Sequence, residues 1–372
     1  PAEIAEIMEE LVERSEITYE QLPRFYRLLP KALAADTFVE LNPDLQEELI
    51  KALTDKEIRE VMDDMFVDDA VGVIEEMPAN VVKRLLALAS PDTRRDINHL
   101  LKYPEDSAGS IMTVEYVDLR DDITVSEAIE RIKKIGIDSE TINICYVLDS
   151  KRTLLGTVAL RYLLLSEPDE IIGEIMHENV VSIHTLMDQE EVARTFQKYD
   201  FTSMPVVDNE NRLVGIITVD DVVDIMEEEA TEDMEKMAAI LPSDKAYMRT
   251  SVFDLWKKRM PWLLLLMISA TFTGSIISSF EEALSRCAVL MAYIPMLMDT
   301  GGNAGGQASV TIIRGLSLDE IDFADIFKVI WKEIRVAFLC GLALASANFC
   351  KLLLFDKVTV PVAITVCLTL FC

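Results

Sequence analysis

The pattern of hydrophobic and polar positions divides the chain into a polar first part and an apolar last part. Nearly all long uncharged runs follow Lys257, and nearly all of the acidic excess precedes it. Up to about residue 108, apolar positions recur at helical spacing in short segments such as 43–53 and 55–65. Because each segment is too short to bury its own apolar face, the pattern predicts helical hairpins stacked in a small superhelix.

The region from about residue 112 to residue 226 contains an internal repeat. Each copy has a strand-like segment, a helix, two further strand-like segments and a closing helix. The first helix of each copy is predicted at residues 125–135 and 190–199. A turn running from Asp to Gly recurs with the same spacing, at residues 149–156 and 208–215. This order of elements resembles a pair of CBS (cystathionine β-synthase) domains, which pack about a pseudo-twofold axis and commonly sense adenine nucleotides.

The closing segment of the second copy carries the residues that favour a nucleotide. In CBS domains a Gly-x-x-Thr-x-x-Asp stretch places its Thr and Asp for phosphate and ribose hydroxyls, and here it reads Gly215, Thr218 and Asp221. The first copy has Ala159 and Tyr162 at the Thr and Asp positions. An adenine nucleotide, ATP in particular, is therefore expected to depend more on the second copy. Thr218 also fits a second role, which is capping the helix that follows.

Four apolar runs predict membrane helices. The first, residues 262–280, has nineteen residues without a charge, close to the roughly 20 that span a hydrocarbon core. Three basic residues stand just before it and mark the cytoplasmic side: Lys257, Lys258 and Arg259. The other runs cover residues 287–313, 336–355 and 358–372. The pattern predicts a multi-pass protein of the cell membrane whose N-terminal region is cytoplasmic.

The second apolar run contains the unusual stretch MDTGGNAGGQ. It places Asp299, Asn303 and Gln307 at membrane depth, where polar groups are expensive and persist only when they face protein or water. Glycines in a membrane helix also allow close helix packing. Packing explains the glycines but not the carboxylate and the two amides, so the segment is predicted to line a cation path.

Composition restricts further which classes of function fit the chain. The chain has 65 acidic and 35 basic residues, a net charge of −30, which repels nucleic acid and concentrates divalent cations. A solvated acidic surface is the alternative explanation. The six cysteines form no CxxC pair and the three histidines are scattered, so neither a zinc site nor a disulfide framework is expected. No P-loop, nucleophile motif or acid/base pair indicates an enzyme.

An acidic segment follows the repeat and leads to the first membrane run. Its apolar residues Val222, Ile225 and Met226 share one face of a predicted helix, and its carboxylates occupy the others. These carboxylates repel one another unless something neutralises them. Since the segment joins the repeat to the membrane part, it is placed to transmit a signal.

These features in this order, together with PxLxDTGGNxGxQ at residues 295–307, resemble the MgtE family of magnesium channels. The resemblance implies a multidomain fold with an all-α superhelical N-terminal domain, an α/β CBS domain pair and an α-helical transmembrane domain. The expected bounds are 1–108 for the helical domain, 109–170 and 171–229 for the CBS domains, 230–258 for a connecting "plug" helix and 259–372 for the transmembrane domain.

The resemblance also implies how such a protein works. The family forms homodimers with five membrane helices per subunit, surrounded by lipid, and the pore follows the dimer axis. Cytosolic Mg²⁺, both substrate and regulator, bridges carboxylates between the soluble domains and the plug helix and closes the pore, and ATP strengthens this response in some members. The implied metal-binding residues are Asp68, Glu190, Asp200, Asp221, Asp224, Glu229, Glu232 and Asp233; the implied pore residues are Asp299, Asn303 and Gln307; and the implied nucleotide-binding residues are Thr218 and Asp221.

Two glycines depart from the family pattern. Gly72 stands where a second N-terminal carboxylate is expected, and Gly306 stands where some members have an asparagine facing the pore. Two other functions fit the same features. One is a secondary carrier for divalent cations, since polar, glycine-broken helices also mark transporter sites. The other is a membrane-tethered nucleotide sensor, although an anchor has no use for polar groups at membrane depth.

Overall fold

A computed structural model describes residues 1–242, 247, 250–285, 287–318 and 320–372 of the 372-residue chain. It divides into two compact units, Pro1–Met226 and Glu227–Cys372. The first unit holds the predicted helical domain and the repeat, and the second holds the apolar helices. Part of the predicted 230–258 segment lies outside the described residues.

Short helices build the N-terminal domain, as the amphipathic segments predicted. Their bounds are α1 Ala2–Glu13, α2 Leu22–Tyr26, α3 Lys31–Val39, α4 Pro43–Ala52, α5 Asp55–Asp64, α6 Val67–Glu76, α7 Ala79–Leu88 and α8 Pro91–Leu100. Local signals set several of these bounds. The Asn42 side chain accepts a hydrogen bond from the Leu45 N–H at the start of α4, and Thr54 and Glu57 form a capping box at the start of α5.

Two similar α/β copies follow. The first contains β1 Tyr116–Arg120, α9 Val125–Ile135, a 3₁₀ turn Gly136–Asp138, β2 Thr141–Leu148, β3 Leu154–Ala159, α10 Leu160–Leu165 and α11 Ile172–Ile175. The second contains β4 Ile183–His184, α12 Gln189–Tyr199, β5 Ser203–Val207, β6 Leu213–Thr218 and α13 Val219–Met237. In each copy a three-stranded sheet pairs its first two strands in parallel and its last two antiparallel. The predicted repeat is confirmed.

The recurring turn has the same geometry in both copies. The Asp149 carboxylate accepts hydrogen bonds from the backbone N–H groups of Lys151 and Thr153, and the Asp208 carboxylate accepts two equivalent bonds. The two turns pair with each other, because Thr153 bridges to Arg212, residues at corresponding positions of the two copies. This pairing places a pseudo-twofold axis between the copies.

The segment that leads into each copy pairs with the last strand of the other copy. Thr113 bridges to Ile216 in β6, and His177 bridges to Thr157 in β3. Gly215 is required here, because an added Cβ would lie 2.7 Å from the Met112 sulfur and 2.7 Å from the Thr113 carbonyl oxygen. The two copies therefore form one interlocked body.

The N-terminal domain shares its hydrophobic core with the second copy. One continuous cluster of buried residues runs from Leu49 and Met62 of the helical domain to Phe196 and Ile217 of the second copy. Most of the core of the first copy forms a separate cluster. The helical domain is therefore fixed to the copy that carries the predicted nucleotide residues.

The structure gives the connecting helix other bounds than the expected range of 230–258. Helix α13 begins at Val219, inside the range predicted for the second CBS domain, and ends at Met237, so residues 230–258 are not one helix. Of the three apolar residues predicted to share one face of this helix, Val222 and Ile225 are buried and Met226 is 43% exposed. The next helix begins at Val252.

The second unit is helical. Its helices are α14 Val252–Ser279, α15 Glu281–Ser285, α16 Ala288–Met291, α17 Ile294–Ser317, a 3₁₀ turn Phe323–Asp325, α18 Ile326–Leu354 and α19 Val360–Phe371. Among the described residues, two helices are long and apolar enough to cross a membrane: Val252–Ser279 and Phe323–Leu354. Helix α17 has 24 residues and is continuous through its glycines, whereas α19 has 12. The predicted number of four crossings stays a prediction.

Candidate functional site

Four carboxylates of the first unit interact electrostatically across the boundary between the helical domain and the CBS pair. Asp68 and Asp69 belong to the first turn of α6, Asp221 belongs to the first turn of α13, and Glu140 precedes β2. A helix N-terminus carries a partial positive charge that favours anions. The three aspartates thus lie where a helix N-terminus favours negative charge. With Glu140, they bring carboxylates together from three separate segments of the chain.

Burial raises the pKa of each of these groups, and neighbouring carboxylates raise it further. The pKa of Asp69 rises to about 6 and that of Glu140 to about 7, in both cases through burial first and neighbouring carboxylates second. Burial, followed by the charge of Asp221, raises the pKa of Asp68 well above its ordinary value. Burial likewise raises the pKa of Asp221. Within the part of the chain that the structure describes, none of the four forms an ion pair with a basic side chain. We call Asp68, Asp69, Glu140 and Asp221 the interdomain carboxylate cluster.

A fifth carboxylate, Glu115, lies beside this cluster, and its charge contributes to the raised pKa of Glu140. Glu115 accepts hydrogen bonds from the Thr113 hydroxyl at 2.6 Å and the Val114 N–H at 3.2 Å. The Val67 backbone N–H, at the start of α6, is the smallest of the influences that lower the pKa of Glu115, whereas burial, the largest influence, raises it. Glu115 of the CBS region therefore lies near the start of a helix of the N-terminal domain.

The structure gathers some of the predicted metal-binding residues and separates others. Asp68 and Asp221 interact in the cluster, and Asp224 acts on Asp221. Glu190 is instead paired with Arg194 at 2.5 Å, and Asp200 lies at the far end of the same helix with a left-handed backbone, φ 54°. Neither Glu190 nor Asp200 is among the carboxylates that raise the pKa of Asp68.

Sequence reasoning missed the other members of the cluster. Asp69 and Glu140 are distant from each other in the sequence, and only tertiary packing brings them together. Glu115, beside the cluster, falls in the strand-like segment at the start of the first copy. A signal existed in the paired acidic residues at the start of α6 and α13, 68–69 and 220–221. Among the described residues, no group of three or more acidic, His or Cys side chains is arranged to hold a metal ion directly.

Gly72 lies one helical turn after Asp68 on α6. A Cβ added at this glycine would meet no atom within 4 Å. The position where the family pattern expects a second carboxylate is therefore open space beside the cluster.

The acidic residues that follow in α13 have a different environment. Glu232 pairs with Lys236 at 2.7 Å, and both side chains are partly exposed. The bond to Glu232, followed by the charges of Asp233 and Glu229, raises the pKa of Lys236. The lysine therefore offsets part of the negative charge of this segment. We call Glu229, Glu232 and Asp233 the acidic helix segment.

The two predicted nucleotide residues bind each other. The Thr218 hydroxyl donates a hydrogen bond of 2.7 Å to the Asp221 carboxylate. Thr218 precedes α13, so this contact belongs to the start of that helix. In the first copy, Tyr162 instead packs edge-on against His177, with ring centroids 5.4 Å apart. The two copies therefore differ at these positions: the second has a hydroxyl bonded to a carboxylate, and the first has an aromatic contact.

The predicted pore residues lie together in the second unit. Asp299, Asn303 and Gln307 recur every four residues on one face of α17 and line a groove of about 1040 Å³ between α17 and α18. An added Cβ at any of the four glycines of this stretch would meet no atom within 4 Å: Gly301, Gly302, Gly305 and Gly306. Close packing against another described helix of the unit therefore does not account for these glycines.

Together, a helical domain, a CBS pair and apolar helices with a polar groove are the features expected of a membrane transport protein. Sequence profiles match the MgtE intracellular N domain at residues 1–106, a CBS domain at 172–228 and a divalent cation transporter domain at 294–372. The chain is 40% identical over 322 residues to the magnesium transporter MgtE of Thermus thermophilus, covering 86% of this chain and 71% of that protein. It belongs to the MgtE family.

Two further comparisons agree with this assignment. The magnesium transporter MgtE of Bacillus subtilis is 36% identical over 310 residues, with 82% of this chain and 67% of that protein covered. A crystal structure of the cytosolic domain of the Mg²⁺ channel MgtE in complex with ATP matches with a TM-score of 0.55 and 40% identity, over 59% of this chain and 93% of that one. The curated relatives at 36% and 40% identity are magnesium transporters, a class of protein that is not enzymatic, which confirms the prediction that the chain is not an enzyme.

Proposed function

We propose that this chain is a subunit of a homodimeric magnesium channel of the cell membrane, in which the groove between α17 and α18 forms part of the ion path. The observation that carries this proposal is the row of Asp299, Asn303 and Gln307 along the groove. Membership in a family of magnesium transporters supports the choice of ion.

The size and chemistry of the groove suit hydrated magnesium. Mg²⁺ prefers oxygen ligands and keeps several of its waters. An ion with six waters occupies roughly 180 Å³ at about 30 Å³ per water, well below the groove volume of about 1040 Å³. The ion can therefore pass while held through water by one carboxylate and two amide side chains.

Cytosolic magnesium closes this channel through the interdomain carboxylate cluster. Without a cation, the four carboxylates repel one another and favour separation of the N-terminal domain from the CBS pair. With magnesium bound between them, the closed arrangement is favoured by the difference in affinity between the two states and by no more than that. Helix α13 begins in the cluster with Asp221 and continues into the acidic helix segment, so it is the element that carries the change onward.

ATP binding at the second CBS copy is part of the proposal. Thr218 and Asp221 supply a hydroxyl and a carboxylate for a nucleotide, and the similar cytosolic domain of the Mg²⁺ channel MgtE was solved in complex with ATP. Because Asp221 also belongs to the cluster, nucleotide and magnesium act on the same helix start.

A secondary carrier is the second candidate, and one observation weighs against it. The carrier interpretation draws on glycine-broken helices, but α17 is one continuous helix from Ile294 to Ser317. A membrane-tethered sensor would not need the polar groove. Current steps from single molecules in a planar bilayer distinguish a channel, which gives them, from a carrier.

Magnesium uptake into liposomes by the full-length protein tests the proposed path. Asn303→Leu places an apolar side chain in the groove and is expected to abolish uptake while leaving folding intact. Ser309→Leu is the matched control, since Ser309 lies on the same helix outside the residues that line the groove, and it should transport like the parent. Normal uptake through the Asn303 variant would show that the groove is not the path.

A further inference from the structure

The groove between α17 and α18 also carries fixed positive charge. Lys328 and Lys332 line it, together with the carboxylates of Asp325 and Glu333. Lys328 is paired with Asp325 at 2.6 Å. Lys332 forms no ion pair with any residue in the described ranges of the chain, so its charge is not offset by a direct contact.

The position of Lys332 places that charge at one end of the ion path. It lies one helical turn before Val336, where the uncharged run of α18 begins. Val336 and Cys340 continue the same lining toward the membrane interior. Thr311 and Ile312, near the end of α17, line the groove as well. A cation that enters or leaves the groove at this end passes close to Lys332.

A fixed positive charge opposes occupancy by a divalent cation. At about 10 Å in water, repulsion between a unit charge and a divalent ion changes occupancy by about fourfold. Four carboxylates line the same groove, Asp299, Glu320, Asp325 and Glu333, and they attract the ion. Conduction requires binding that is favourable enough for the ion to enter and weak enough for it to leave.

We infer that Lys332 weakens divalent-cation binding at this end of the groove and so allows the ion to leave. This inference rests on the proposed function, because it assumes that the groove is the ion path. It assigns Lys332 as a residue that sets the apparent affinity for the transported ion.

Liposome uptake by the full-length protein, measured against magnesium concentration at low ionic strength, tests the inference. Lys332→Gln is expected to lower the half-saturating magnesium concentration by about fourfold. The shift should shrink as sodium chloride is raised past about 0.1 M, where charges about 10 Å apart are largely screened. Lys332→Arg keeps the charge and should match the parent.

Arg335→Gln is the second control, because Arg335 lies on the same helix but lines a separate apolar cavity with Trp331 and Phe338. A shift as large in this variant as in Lys332→Gln would show a general effect of surface charge and overturn the inference. An unchanged half-saturating concentration in Lys332→Gln would overturn it as well. Asn303→Leu, assayed in parallel, tests the proposed ion path separately from the role of Lys332. If Asn303→Leu transports normally, the groove is not the path. If it is inactive, the path stands and the Lys332 variants test only the role of that lysine.

Discussion

Two acidic regions of this chain differ more in environment than in charge. The interdomain carboxylate cluster is half-buried or buried, joins two domains and has no ion-paired lysine or arginine among the described residues, so the pKa values of its members are raised. The acidic helix segment is more exposed and surrounds Lys236. In the sequence, the carboxylates of the helix segment stand within five residues of one another, whereas those of the cluster are scattered. We expect binding of a cation to change stability most at the cluster, because burial and repulsion act there together.

The largest effect is expected from neutralising the cluster. Asp68→Asn with Glu140→Gln removes repulsion and ligands together, so the closed arrangement should form without magnesium. Each pKa unit of lost repulsion corresponds to about tenfold in the closing equilibrium. Limited proteolysis of the full chain in magnesium-free buffer should therefore be at least about tenfold slower than for the parent. Cleavage at the parent rate, with the parent response to magnesium, would show that the cluster does not sense the ion.

A smaller effect is expected from the acidic helix segment. Glu229→Gln with Glu232→Gln removes charges that Lys236 already offsets in part, and partly exposed ion pairs contribute about 0–1 kcal/mol. The magnesium concentration that gives half-maximal protection should rise by about threefold or less. Adding Asp224→Asn, which borders Asp221, should increase the shift. If the double variant abolished protection altogether, the ranking of the two regions would be reversed.

Nucleotide binding sharpens the comparison, because it uses a residue of the cluster. Thr218→Ala removes the hydroxyl that donates to Asp221 and is expected to weaken ATP binding by about tenfold, the loss of one hydrogen bond to a charged group. Calorimetry with ATP measures it. The matched control is Thr195→Ala, whose hydroxyl donates within its own helix to Glu191. Equal affinities in both variants would place the nucleotide elsewhere.

The pH dependence of stability tests one member of the cluster by itself. The folded pKa of Glu140 is raised from 4.5 to about 7, so the charged form destabilises the folded state. Its contribution to the free energy of unfolding is fully present below about pH 4.5 and is lost as the pH rises through about 7. The urea midpoint in magnesium-free buffer should therefore fall between about pH 5 and pH 8. Glu140→Gln should flatten this dependence, and the exposed Glu130→Gln should not.

The sequence predicted the helices and strands better than it predicted which carboxylates come together. Helix Val125–Ile135 was predicted to its ends, since the capping box of Thr124 and Glu127 and the apolar spacing are local signals. The three pore residues share a face because helical spacing alone decides it. In contrast, Glu140 joins Asp68 only through the packing of the helical domain on the CBS pair. The exchange of leading segments between copies, Thr113 with Ile216, also depends on contacts distant in sequence, which no local pattern encodes.

The most direct test is magnesium uptake by the full-length protein in liposomes with internal magnesium varied at constant ionic strength. In the parent, uptake should fall as internal magnesium rises into the millimolar range, and sodium at equal ionic strength should not substitute, because screening cannot bridge two domains. In Asp68→Asn with Glu140→Gln, uptake should no longer depend on internal magnesium. The same inhibition curve in parent and variant would contradict regulation through the interdomain carboxylate cluster.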